Sequence, residues 1–119
     1  MQREEMKVRL IVMNGQRIVQ HEEEGKWQNY KVEKAGTLKP GIYNIYLARP
    51  AEKNKSYEGV IVHAEDGTIY QQVGRGFVVH SRDHLDGVPA IGGAYRIEHG
   101  AKKATVAAVS AGRRLTRRI

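Results

Sequence analysis

The chain has 119 residues, a formal net charge of +7, 28% charged and 7% aromatic side chains, and no cysteine. That length makes one domain or at most two very small ones, and the missing cysteine excludes disulfides, thiol nucleophiles and thiolate metal sites. No apolar run approaches the ~20 residues that span a bilayer, and the start, MQREEMKVRL, has no signal-peptide core, so a cytoplasmic protein with no membrane role is expected.

The texture is all-β: thirteen glycines and six tyrosines accompany short runs of valine, isoleucine and tyrosine between recurring turn residues. KVRLIVMNGQRIVQHE is the clearest local signal. Val8, Leu10 and Val12 alternate onto one face, and Asn14-Gly15 supplies the two positive-φ positions of a type I′ turn, so a β-hairpin is predicted. The acidic connector EEEG leads to a strand at KWQNYKVEKA. GTLKPG leads to another at IYNIYLA, whose packing residues are expected to be Ile42, Tyr43, Ile45 and Tyr46. RPAEKNKS, residues 49–56, is polar and contains a proline, which suits a linker between two halves.

YEGVIVHA resumes a strand, EDG turns it, TIYQQV returns, and GRG turns the chain again into FVVH. Ser81 is placed to cap a short helical turn over Ser81–Leu85. After the irregular DGVPAIGG, AYRIEH and ATVAAV are the last strands, joined around Gly100. The end is basic. RRLTRRI carries Arg113, Arg114, Arg117 and Arg118, with Lys102 and Lys103 just upstream, and without these six cations the formal charge is +1. An anionic partner would therefore be met there.

An offset of 52 aligns Val8 with Val60, Gly15 with Gly67, Gln20 with Gln72, Gly41 with Gly93, Tyr43 with Tyr95 and Ile45 with Ile97. Chance alone would give roughly four such identities. The expected fold is thus all-β, one or two small β-barrels of SH3-like or related type, with two pseudo-repeated β-units as a further reading. The divisions are an N-terminal unit over 1–50, a second over 56–109 and a basic tail over 110–119.

QQVGRGFVVHSRDHL concentrates the candidate chemistry. A glycine loop cradles phosphate when it opens a helix, but VGRGF lies between strand-like flanks. It reads as a tight turn with Arg75 exposed at its tip. His80 and His84 have the spacing of two metal ligands on a helix, yet His80 ends a strand and only one helical turn follows. Ser81, His80 and Asp83 are neighbours in sequence, whereas catalytic triads assemble from separate segments. His63 would approach His80 if their strands paired, which leaves acid–base chemistry conceivable. A non-enzymatic protein without metal or cofactor is expected. Small β-barrels bind single strands by stacking bases on aromatic rings within a basic groove, and eight such rings lie among the strands here.

The ordered run YEGVIV, YQQVGRGFVVH, RDHLDGVPAIGG and YRIEHG resembles the KfrB domain over residues 56–106. That module occurs in accessory proteins of conjugative and broad-host-range plasmids. The resemblance implies a plasmid-borne accessory protein acting in transfer, replication or maintenance, and supplies no catalytic set. By position, Gln72, Val73, Gly74, Arg75, Gly76 and His80 form its signature loop. The leading expectation is nucleic-acid contact through Arg75, Lys102, Lys103, Arg113, Arg114, Arg117 and Arg118. The alternative is an adaptor or inhibitor docking on a plasmid or host protein.

Overall fold

A computed structural model describes residues 7–100 and 103–109. The chain divides into two compact units, one up to Leu47 and one from Ala48 on.

The first unit is a four-stranded antiparallel sheet. Strands β1 (Val8–Met13), β2 (Gln16–Glu23) and β3 (Lys26–Lys34) form a meander, and β4 (Gly41–Tyr43) returns beside β1, giving the order β3-β2-β1-β4. Both hairpin turns have positive φ at both central residues, Asn14 and Gly15 in one, Glu24 and Gly25 in the other. That backbone matches the right-handed twist of the flanking strands. EEEG is therefore a tight turn, not a connector. Leu10, Val12, Val19, Tyr43 and Ile45 are buried, as strand alternation requires.

Two of the four packing residues expected in IYNIYLA lie outside this core. β4 stops at Tyr43 and a 3₁₀ turn covers Ile45–Leu47, so Ile42 is 60% and Tyr46 38% exposed. Ile42 lies opposite Ile11, Ile11 opposite Ile18, and Ile18 opposite Val32. One apolar row therefore crosses all four strands on the face away from the core.

The second unit is a six-stranded sheet. Its strands are β5 (Arg49–Pro50), β6 (Ser56–Glu65), β7 (Thr68–Val73), β8 (Gly76–Ser81), β9 (Ala94–Glu98) and β10 (Thr105–Ala108), in the order β10-β9-β6-β7-β8-β5. Part of the expected linker is thus structured, since Arg49 and Pro50 pair in parallel with Val78 and Val79. Ile61, Ile69, Leu85, Ile97 and Ala104 make the core, with Ala64, Tyr95 and Val106 packed against it.

Neither sheet closes into a barrel, which corrects the expected architecture. β4 has three residues and β5 only two, ending in a proline that has no N–H to donate, too little to wrap a sheet onto its far edge. In the second unit an isolated parallel bridge instead links the segment after β8 to the residue before β10. Leu85 faces Ala104, with Ala104 N–H donating to His84 O at 2.7 Å and Asp86 N–H donating to Ala104 O at 2.9 Å.

The two units share a motif, a three-strand meander whose first strand also pairs with a later one (β4 on β1, β9 on β6). Their registers differ: Tyr43 lies opposite Leu10, whereas Tyr95 lies opposite Gly59 and not Val62, where a 52-residue offset would put it. β6 carries an irregularity between Ile61 and His63, so the strand bends there.

Candidate functional site

Strand alternation in TIYQQV points Ile69 and Gln71 to the same side, and Ile69 is in the core. Gln71 is accordingly fully buried, and a buried amide has to be hydrogen-bonded. Its Nε2 donates to the carbonyls of Gly59 at 3.1 Å and Tyr95 at 2.9 Å, while its Oε1 lies 2.9 Å from His80 Nε2. Gly59 lets the backbone of β7 come this close to β6, since a Cβ there would sit 1.7 Å from the carbonyl oxygen of Gln72.

With both amide hydrogens turned to carbonyls, Gln71 can only accept from His80, which places the His80 proton on Nε2. His80 Nδ1 is then an acceptor, and His99 Nε2–H donates to it across 2.9 Å. His80 is 1% exposed, and burial followed by the neighbouring His99 lowers its pKa to about 4, so the ring is neutral. His99 is held below the usual histidine range by burial first and then by His84. Tyr57 packs edge-on to both rings, with centroids 5.7 and 6.0 Å away.

The contact is also long-range. β8 and β9 are separated by β7 and β6, which in a flat sheet would hold them roughly 14 Å apart. The sheet curls enough to bring His80 and His99 together. Sequence reasoning paired His80 with His63 instead, but β7 runs between their strands, with Tyr70 opposite both His63 and Val79. His63 bonds Glu65 Oε1 at 2.8 Å.

On the outer side of His99 lies a shallow cleft of about 530 Å³, lined by Asn54, Lys55, Ser56, Glu98, His99, Gly100, Lys103 and Thr105. Ser56 and Thr105 flank Glu98 from the adjacent strands β6 and β10. Glu98, the only acid among the described lining residues, is 3.3 Å from Arg96. Lys55 lies 3.0 Å from Glu52, both well exposed. His99 N–H donates to Lys55 O at 2.9 Å, which fixes this wall of the cleft. The lining suits an anion: two ammonium groups, two hydroxyls and an imidazole.

The expected site residues fall in three places. Gly74 and Arg75 are the two-residue turn between β7 and β8, with positive φ at Gly74 alone, as a II′ turn requires. Arg75 is exposed at its tip, and Val73 pairs with Gly76 beneath it. Gln72 is on β7, opposite Phe77. Lys103 is at the other end of β8, beside His84 and the cleft, roughly 20 Å from Arg75 by strand length. Lys102, Arg113, Arg114, Arg117 and Arg118 lie outside the described residues.

Ser81 occupies the N-cap position of the 3₁₀ turn Arg82–His84, but its side chain makes no capping bond. The turn is closed by Leu85 N–H donating to Arg82 O at 3.1 Å. Gln71, His99 and Lys55 are not among the expected site residues. Only Gln71 left a signal in the sequence, its place on the inward face of β7. Among the described residues no group of three metal-ligating side chains occurs, and no helix is long and apolar enough to cross a membrane.

Two comparisons bear on this arrangement. The model of the KfrB domain matches residues 56–108, which contain the whole Gln71–His80–His99 network. Protein TraB of Escherichia coli is 33% identical over 95 residues, covering 77% of this chain. The chain spans 65% of that relative's length.

Proposed function

Because residues 56–108 of this chain match the model of the KfrB domain, we propose that it is a plasmid-associated accessory protein that works by contact and not by catalysis, holding nucleic acid through its phosphates in conjugative transfer or plasmid maintenance. The observation that carries this reading is the convergence of Lys55, Lys103 and His99 on one cleft, where Glu98, the acid among the described lining residues, lies beside Arg96 and Lys55 is 3.0 Å from Glu52. The net charge of +7 and the basic end of the chain supply attraction of the same sign. The shared strand motif supports reading the chain as two related β-units, with SH3-like character in the curled second one.

Binding of this kind is sequence-independent and falls steeply with salt. Fluorescence anisotropy with single- and double-stranded DNA at two salt concentrations tests it. The expected result is binding at low salt that weakens as salt rises. A folded protein that binds neither DNA at low salt overturns the reading.

A second reading, an adaptor docking on a plasmid or host protein, is favoured by the apolar row Ile42–Ile11–Ile18–Val32. Apolar surface of that continuity on a sheet face is a common mark of protein contact. A partner that stays bound after residues 113–119 are deleted, and is lost with Ile42→Ser plus Val32→Ser, would favour this reading. One lost with the tail and indifferent to the row would count against it.

A further inference from the structure

We propose that the cleft beside His99 seats a nucleic-acid phosphate, and that seating it draws a proton from solvent onto His99 Nδ1. This rests on the nucleic-acid reading above and adds to it a defined seat and a pH-dependent affinity.

The argument starts at Gln71. Its amide donates to two backbone carbonyls, so its oxygen faces His80 and fixes the proton on His80 Nε2. His80 Nδ1 must therefore accept, and His99 must spend its Nε2–H on that bond. The relay has one direction. The next proton that His99 takes can only go to Nδ1, because Nε2 already carries one.

The groups around His99 decide when that happens. His80 on β8 and Tyr57 on β6 are uncharged neighbours, and His84 in the 3₁₀ turn stacks at 6.4 Å. Lys55 lies before β6 and Lys103 just before β10, both on the cleft. Glu98, next to His99, lies 3.3 Å from Arg96. In the free protein, burial first and then His84 hold His99 below the usual histidine range. A phosphate placed among Lys55, Lys103 and the hydroxyls of Ser56 and Thr105 reverses the sign of the local field. The imidazolium then becomes favourable, and Nδ1–H becomes an added charge-assisted donor.

By linkage, a ligand that raises the pKa of a group binds more tightly as the pH falls toward that group's range, with a limit of about tenfold per pH unit for one proton. Lysine and arginine do not titrate near neutrality, so an electrostatic tail alone gives no such slope.

The test measures anisotropy of the full chain with a short labelled single strand and its duplex, at fixed low salt, between about pH 8 and about pH 6. The wild type is expected to tighten by about five- to tenfold over that range. His99→Gln keeps an N–H in place of Nε2 and cannot take a proton, so its affinity should be flat with pH. Lys55→Ala with Lys103→Ala should weaken binding and reduce the salt slope by about two phosphate contacts. Imidazole NMR of the wild type gives a second readout independent of any variant: the His99 resonance should titrate at higher pH when the oligonucleotide is added.

DNA binding with the same pH slope in His99→Gln, an unmoved His99 titration, or wild-type affinity in the double lysine variant would each overturn the inference and leave the nucleic-acid reading standing. Displacement of the oligonucleotide by inorganic pyrophosphate at equal phosphate concentration would also overturn it, making the ligand a small free anion. Absence of DNA binding at every pH would overturn the nucleic-acid reading itself.

Discussion

His80 Nδ1 lies 2.9 Å from His99 Nε2, with the two rings 4° from parallel, and this bond ties β8 to the end of β9 across two intervening strands. It needs an unprotonated Nδ1 on His80, whose pKa burial and the neighbouring His99 lower to about 4. Unfolded histidine titrates near 6.5, so between these values the unfolded chain binds more protons than the folded one. The stability held in the neutral ring is therefore complete above about pH 6.5 and is lost as the pH falls toward 4. By pH 5 the loss is about 2 kcal/mol from His80 alone. Urea unfolding at pH 7.5 and pH 5 should show a lower midpoint at the acidic value, with its slope unchanged. Equal midpoints would mean that folding does not lower the pKa of His80.

Gln71 is the other half of the same network. Gln71→Leu is close in size, so it leaves little cavity, but it strips partners from two carbonyls and from His80 Nε2–H. Buried polar groups left without partners cost about 1–3 kcal/mol each. A total loss of about 3 kcal/mol is expected, read as a drop in the denaturation midpoint. Gln71→Glu should be worse at pH 8 than at pH 6, because a carboxylate facing two carbonyls is tolerated only when protonated. A milder effect at the higher pH would contradict the orientation assigned to the amide.

The contrast between these residues and the turns explains what the sequence could disclose. Asn14-Gly15 and Gly74-Arg75 were legible because a two-residue hairpin turn is decided by its own φ values. The same logic held at Glu24-Gly25, where the run of acids hid the turn. The burial of Gln71 was available from alternation with Ile69. His99 was not, since its meeting with His80 depends on how far β6 bends and the sheet curls, which no local pattern records. Lys55 lies in RPAEKNKS, whose polar composition and proline suit a linker, and only the pairing of β6 with β9 puts its backbone against His99. Barrel closure is not legible for a related reason. Strand count is legible, but the length of the edge strands, two residues in β5, is set by where they meet the rest of the sheet.

Arg17 and Glu33 offer a test in the first unit. Arg17 is 4% exposed, opposite Val12 on the core side, and its guanidinium hydrogen-bonds Glu33, whose side chain is 40% exposed. Removing only the acid leaves a buried cation short of compensation, whereas an apolar residue of similar volume avoids the desolvation altogether. Glu33→Gln should therefore cost about 1 kcal/mol or more, and Arg17→Met less than that. The reverse order in thermal unfolding would show that Arg17 is held mainly by other contacts.

Three glycines of the second unit separate the reasons for which a glycine is present. At Gly59 a Cβ would lie 1.7 Å from Gln72 O and 2.9 Å from Gln72 C, so Gly59→Ala must part β6 from β7 and disturb the carbonyl that Gln71 binds. A loss of at least about 3 kcal/mol is expected. Gly74 has open space but a φ of +60°, so alanine there pays only for the left-handed backbone, about 1 kcal/mol. Gly76 begins β8 with nothing within 4 Å of a built Cβ, and Gly76→Ala should change stability by no more than about 0.5 kcal/mol. The two glycines that made VGRGF look like a phosphate loop are thus expected to matter less to the fold than the one in YEGVIV. Denaturant midpoints for the three variants, side by side, check the ranking. A Gly76→Ala as damaging as Gly59→Ala would show that the GRG turn makes a contact beyond its hairpin.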